Sequence, residues 1–303
     1  MLYNIGGLWV HFEGENKYFE ERSISFRREN SERKPEECDM RISMELYDDI
    51  TRPEGEEVIG GVESVILRKN YPEKGYYIFS NDFEMNGGER KKPSIIESNL
   101  TWNDIKLKFV KNEKMFASED NGTLIQWNQF SSFLSMGVAF RNLLITKNGL
   151  QIHSASIEFE DKGIIFSAPS GTGKSTHVRL WRQLHGDKVT IINEDRPAIR
   201  YINNTPMLCG TPWSGSSDHF VNKIVQLNYI VMLEQAPVNS IERLFGFRAL
   251  QMLMPRCFLP YFDSDLMNEA MNMLDRLLND VPVYLLKCLP NYDAVELVQK
   301  CLK

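Results

Sequence analysis

The chain has 303 residues, 42% of them hydrophobic and 25% charged, with a formal net charge of −6. Those values belong to a globular chain long enough for one large core or two smaller ones, and they exclude wholesale disorder. A net acidic balance lacks the concentrated basic face that neutralising a phosphate backbone needs, so no nucleic-acid partner is expected.

From Met1 to Trp127 the pattern is one of short strands broken by turn residues. Residues 7–12, 40–46, 64–68, 75–79 and 105–110 alternate, or nearly alternate, apolar and polar positions. Asn86-Gly87-Gly88 and Asn121-Gly122 supply turns, and the charged stretches 27–37 and 54–57 read as solvated loops. A smaller β-rich N-terminal domain over 1–127 is predicted, followed by a second domain over 128–303.

Residues 127–144 change period, with Phe130, Phe133, Leu134, Val138, Leu143 and Leu144 at helical spacing. Asn148-Gly149 then stands between the apolar runs 143–145 and 150–157, a hairpin signal. Residues 163–167 (Gly-Ile-Ile-Phe-Ser) read as a short buried strand and 176–184 as a helix. Between them lies Ala-Pro-Ser-Gly-Thr-Gly-Lys-Ser, residues 168–175. The β-branched run 188–192 ends in Asn193-Glu194-Asp195, and 227–233 is another buried strand. Ser264 is expected to cap a helix to Leu278, with Leu266, Ala270, Met271, Leu274 and Leu278 on one stripe. Met252, Met254, Met267, Met271 and Met273 read as core filling. A strand over 281–286 and a helix over 293–302 close the chain.

A strand, a Gly-rich turn and a helix N-terminus present backbone N–H groups and a positive dipole end to an anion. Ser170, Gly171, Thr172, Gly173, Lys174, Ser175 and Thr176 are the candidate set for binding ATP or another nucleoside triphosphate. Lys174 would reach the outer phosphates and the Ser175 hydroxyl would join the shell of a Mg²⁺ ion. Ala168 in place of a more usual first glycine implies a negative φ there. Such a loop needs an acidic partner for the metal. Asp195 is the candidate, with Glu194 either sharing the ion or taking the proton of an attacking hydroxyl. His153, alone, reads as a hydrogen-bonded core histidine as readily as a site residue.

Residues 210–220, with their glycines, hydroxyls and an exposed Trp213, form either a mobile substrate loop with Asp218 and His219 as polar contacts, or an ordinary long turn. Arg196, Arg243 and Arg256 either pair with phosphate or an acidic substrate, or make surface ion pairs. Cys38, Cys209, Cys257, Cys288 and Cys301 are scattered and never in a C-x-x-C pair, which fits reduced thiols better than disulfides or a zinc site. The first ten residues lack a basic and apolar leader pattern, and no apolar run approaches spanning length. A cytoplasmic protein with no membrane partner is expected.

Ile152-His153-Ser154-Ala155-Ser156, the stretch 163–176 and Ile192-Asn193-Glu194-Asp195 resemble the HPr kinase/phosphorylase and ATP-type phosphoenolpyruvate carboxykinase superfamily. In HPr kinases a Leu-His-Ala-like strand precedes the loop at the matching spacing, fifteen residues from His153 to Ala168 here. An Asp-Asp pair ends the strand after the loop helix. More closely, residues 193–197, 210–215, 233–237 and 281–284 are similar to HPr-kinase-like proteins of bacterial genomes, some associated with modified-peptide gene clusters. The likeness runs from Gly149 to the C-terminus. It implies an α/β class, with a C-terminal HPr kinase/carboxykinase-like P-loop domain built on a mixed sheet. It also implies an ATP- and Mg²⁺-dependent kinase that phosphorylates a hydroxyl of a peptide, a protein (serine above all) or a small molecule. His153, Lys174, Glu194 and Asp195 become the catalytic candidates, with His153 supporting the carboxylate or touching the γ-phosphate. Arg196, Trp213, Ser214 and His219 become candidates for the substrate. Glu194 departs from the Asp of the pair by one methylene, and Thr176 stands where HPr kinases carry a glutamate. A nucleotide-binding regulatory protein without phosphotransfer, or a carboxykinase-like enzyme, are the alternative readings.

Overall fold

Alternation decides the first half of the chain. In the strand Leu8–Glu13, Leu8, Val10 and Phe12 are buried while Trp9, His11 and Glu13 are not, as a one-sided sheet demands. The computed structural model describes residues 1–302 apart from 30, 82, 85–89, 112–115, 119–123 and 216. The turns expected at Asn86-Gly87-Gly88 and Asn121-Gly122 lie outside these residues. The chain divides into two compact units, one of Met1–Asn4 and Leu8–Leu143, the other of Ile5–Gly7 and Leu144–Lys303.

The first unit carries β1 (Leu2–Ile5), β2 (Leu8–Glu13), α1 (Lys17–Arg22), β3 (Met40–Tyr47), β4 (Glu56–Ile59), β5 (Ser64–Arg68) and β6 (Tyr76–Ser80). The short β7 (Phe83–Glu84) and β8 (Arg90–Lys91) follow, then β9 (Ser94–Ser98), β10 (Asp104–Val110), β11 (Phe116–Ser118), β12 (Leu124–Gln126) and α2 (Trp127–Thr146). Eight strands make one sheet in the order β1-β2-β3-β10-β9-β6-β5-β4, parallel at β2/β3 and β3/β10. Residues 54–57, expected to be loop, run into β4 instead; its glutamates are exposed on an edge strand, where charge discourages further pairing. Asn16 caps α1 from a fully buried position, accepting the Phe19 N–H at 2.8 Å and donating to the Ser132 hydroxyl at 2.6 Å. The expected boundary at Trp127 is the first residue of α2, whose residues as far as Leu143 belong to this unit.

The second unit continues with β13 (Gly149–Gln151), β14 (Ser154–Phe159), β15 (Lys162–Ser167), α3 (Lys174–His185), β16 (Val189–Asn193), β17 (Ala198–Ile202) and β18 (Thr205–Cys209). It ends with β19 (Ile224–Gln235), β20 (Ser240–Leu244), α4 (Gly246–Leu253), α5 (Ser264–Asp280), β21 (Val283–Cys288) and α6 (Tyr292–Cys301). Its sheet is mixed: β13-β17-β18-β19-β15-β14-β16, with β21 added to β19 and β20 to β21. β15, β19 and β21 run parallel, and the remaining pairs are antiparallel. Ile164, Phe166, Val231, Leu233 and Leu286 of these parallel strands pack with Val178 and Trp181 of α3 and Val295 and Val298 of α6 in one core. The molecule is thus mixed α/β.

Three local expectations change. Asn148-Gly149 turns no hairpin: α2 continues to Thr146, Asn148 takes φ 56° to end it, and β13 pairs with β17. The cap of α5 is Asp263, whose carboxylate accepts the N–H of Asp265 and Leu266, so Ser264 is the first helical residue. The buried stripe of α5 holds Met273 and Leu277 rather than Met271 and Leu278. Of the five methionines read as core filling, Met273 is buried and the others are partly exposed. Among the described residues no helix is long and apolar enough to cross a membrane.

Candidate functional site

Three neighbouring strands bring the site together. β14 and β15 form a hairpin turned by Glu160 and Asp161, both at positive φ, in a register that sets Ser154 opposite Ser167. His153 therefore flanks the end of β15, where the loop begins, and the Ser167 hydroxyl donates to its carbonyl at 2.7 Å. On its other edge β14 pairs with β16, with Ser156 opposite Asn193 and the Ser154 N–H bonded to the Asp195 carbonyl at 3.0 Å. One strand thus spaces the loop and the acidic pair.

The loop leaves β15 through Ala168, which is buried and keeps a negative φ as expected. Gly171 (φ 77°) and Gly173 (φ 108°) lie in the region that favours glycine, and a Cβ on either would meet no atom within 4 Å. The backbone there faces open space. Gly173 is the N-cap of α3 and gives no side-chain cap, so the first N–H groups of α3 are offered to an anion. Lys174 is buried, and its ammonium donates to the carbonyls of Ala168 at 3.2 Å and Pro169 at 3.4 Å. Burial pulls its pKa below the usual lysine value, helped by Arg256 and opposed by Asp195.

Asp195 faces this lysine with both oxygens engaged. Oδ1 stands 3.2 Å from Nε2 of His153, and Oδ2 accepts from Nε of Arg196 at 3.0 Å. Burial lowers the pKa of His153, as do Lys174, Arg256 and Arg196, against the pull of Asp195. Burial thus favours the neutral imidazole beside Oδ1. Glu194 is nearly sealed, with its side chain 2% exposed. Its Oε2 accepts from the Ser217 hydroxyl and lies 3.3 Å from Nδ1 of His219, while Oε1 is buried without a hydrogen-bond partner. A buried acceptor with no donor is costly in a dry site and suits a cation. Among the described residues no three His, Cys, Asp or Glu side chains are grouped to hold a metal by themselves. A Mg²⁺ ion here would therefore need phosphate oxygens to complete its shell, as that ion commonly does.

These groups line one cleft of about 420 Å³: His153, Ser170, Gly171, Gly173, Lys174, Ser175, Thr176, Glu194, Asp195, Ser214, Gly215 and Ser217. Thr172 turns away to a second cavity of about 630 Å³, which shares Gly171, Gly173 and Thr176 with the first and is walled by Leu233, Gln235, Ala236, Pro237, Leu289 and Pro290. Trp213, expected to be exposed, is 3% exposed and lines neither cavity. Its segment is pinned by Asn193, whose amide donates to Thr211 O at 2.9 Å and to Trp213 O at 3.3 Å. Arg196 lies over the Phe258 ring, and His219 is largely exposed at the rim beside Glu194. Arg243 sits over Phe245 and lines neither cavity, whereas Arg256 accepts the His153 N–H through its carbonyl.

Sequence reasoning missed three residues. Asn193 accepts the N–H of Asp195 at 2.8 Å and of Arg196 at 2.7 Å on one oxygen, fixing the turn that aims both carboxylates. Gly215, at φ 66°, lets the backbone approach Asp195, whose Oδ2 would lie 3.1 Å from a Cβ there. Ser217 holds Glu194. The Asn-x-Asp spacing of an Asx turn was the one signal available for the first.

No protein-family model matches the sequence, and no curated protein does. Among solved structures the chain is similar to the Hpr(Ser) kinase/phosphatase from Coxiella burnetii, with a TM-score of 0.31 and 11% identity over 50% of this chain and 89% of that one. A likeness that slight carries no weight for fold or activity.

Proposed function

We propose that the protein is a phosphotransferase that moves the γ-phosphoryl group of a nucleoside triphosphate, ATP in the first instance, to a hydroxyl. The observation that carries this reading is the cleft that Ser170, Gly171 and Gly173 to Thr176 line together with Glu194 and Asp195, with Lys174 close enough to feel the charge of Asp195. The chemistry of phosphoryl transfer is chiefly positioning and neutralisation of charge. Backbone N–H groups at Gly171 to Thr176 would cradle the phosphates, and Lys174 would exchange the carbonyls of Ala168 and Pro169 for phosphate oxygens. Ser175 and Asp195, with Oε1 of Glu194, would hold Mg²⁺, which supplies positive charge against the triphosphate. Oε2 of Glu194 already accepts from a hydroxyl, which suits it to take the acceptor's proton; Asp195 accepts from Arg196 and stands beside His153. The second cavity, continuous with the loop and largely apolar in its walls, would take the nucleoside. The resemblance of 152–156, 163–176 and 192–195 to HPr kinases supports the same chemistry and points to serine in a peptide, a protein or a small molecule as acceptor.

The test is transfer of labelled γ-phosphate from ATP to a panel of free serine, small polyols and serine peptides. Lys174→Ala is expected to lower kcat by about 10²–10³-fold while the folded state, read by circular dichroism, persists. Full activity in that variant would sink the assignment. Tight, Lys174-dependent ATP binding with no transfer to any acceptor would favour a nucleotide-switched regulatory protein instead.

A further inference from the structure

We infer that Ser217 is itself a phosphoryl acceptor, so that the protein phosphorylates its own chain in cis; this rests on the phosphotransfer reading above. The Ser217 hydroxyl is already arranged as an acceptor must be. It donates its proton to Oε2 of Glu194, accepts the backbone N–H of His219 at 3.0 Å, and lies 3.2 Å from Nδ1 of His219. The carboxylate it touches is the buried one, and the other oxygen of that carboxylate has no hydrogen-bond partner. Ser217 also lines the same cleft as Gly171, Lys174 and Ser175, so hydroxyl, base and phosphate loop share one space. Ser214, the neighbouring hydroxyl of that wall, donates to the Ser217 carbonyl and so steadies the acceptor.

The step balances without a further reactant. The Oγ–H bond of Ser217 breaks and its proton passes to Oε2 of Glu194. Oγ forms a bond to the γ-phosphorus, the bond from that phosphorus to the β,γ-bridging oxygen breaks, and nucleoside diphosphate leaves. Once Glu194 has released that proton to solvent, the phosphoserine, near −2 at neutral pH, stands beside the Glu194 carboxylate, and like charge disfavours its return there. The reaction at Ser217 therefore stops at one phosphate per chain.

The whole protein is incubated with Mg²⁺ and γ-labelled ATP and no other acceptor, and the phosphopeptide is located by mass spectrometry. ATP binding is followed in parallel by displacement of a fluorescent ATP analogue. The expected result is at most one phosphate per chain, on Ser217, at a rate independent of protein concentration. Ser217→Ala should lose the label yet still bind ATP, and Ser217→Thr should carry it on the new hydroxyl. Binding of ATP with no phosphate on residue 217, a label that persists in Ser217→Ala, or a rate that rises with protein concentration would overturn the inference and leave the phosphotransfer reading standing. Failure to bind ATP at all would overturn both.

Discussion

His177 and Asn193 illustrate what a buried polar side chain does in this molecule. His177 lies in the first turns of α3, accepts the indole N–H of Trp181 at 3.1 Å on Nε2, and meets the Phe166 ring edge to face. With no carboxylate to compensate, burial drives its pKa from 6.5 down to about 4. The unfolded chain takes up that proton near its ordinary value and the folded chain does not. Stability from this group is therefore complete above about pH 6.5 and is lost as the pH falls toward 4, by roughly 3 kcal/mol in all. Between pH 7 and pH 5 the native protein should lose about 2 kcal/mol more than His177→Gln, which keeps an acceptor for Trp181 but has no proton to gain. Urea denaturation of the two proteins at both values measures the difference; parallel losses would mean that His177 is not the titrating group. Asn193 is fully buried and has no charge to gain. Its amide uses both ends, one on the turn bearing Glu194 and Asp195 and the other on Thr211 and Trp213.

At the scale of elements, α3 is bounded by glycines at both ends, and the two can be set against each other. Gly173 caps its start at φ 108° and Gly186 its end at φ 58°, and a Cβ at either would meet nothing within 4 Å. An alanine at either position costs about 1–3 kcal/mol of backbone strain. Only the one at 173 would intrude on the cleft. Gly173→Ala should thus abolish ATP binding, and Gly186→Ala should melt lower while binding ATP normally; calorimetry and equilibrium binding on both variants separate strain from obstruction. The loop was legible in the sequence because strand, turn and helix are contiguous there, so hydrophobic period and turn residues carried the signal without tertiary help. The acidic pair was legible for the same reason, at the end of a β-branched run. Trp213 was not, since its burial depends on bonds from Asn193, twenty residues earlier. Asn148-Gly149 misled because Leu143, Leu144 and Ile145 fit strand and helix periods alike, and α2 absorbed them. The contact of Ser217 with Glu194 likewise joins segments that no local pattern relates.

For the molecule as a whole, the cleft and the second cavity fall entirely within the second compact unit. A ligand that binds the folded chain alone stabilises it by RT ln(1 + [L]/Kd), about 2.7 kcal/mol at a hundredfold excess over Kd. That gain is confined to whichever cooperative unit holds the ligand. The chain as a whole is acidic, at −6, so on the proposed reading the tetra-anion of ATP would be held by local groups, Lys174 and the N–H groups of the loop, rather than by net charge. Saturating ATP with Mg²⁺ should therefore slow amide exchange at 168–177, and at 233–237 and 288–290 where the second cavity is walled, while peptides of β1 to β6 exchange at their original rates. Cys288, which lines that cavity and whose pKa burial raises, should also be shielded from alkylation by ATP. Protection at 168–177 without protection at 233–237 or 288–290 would keep the phosphates in the loop and remove the nucleoside from the second cavity. Slowed exchange across β1 to β6 as well would mean that the two units unfold as one, and the stabilisation would then have to be read from the global transition.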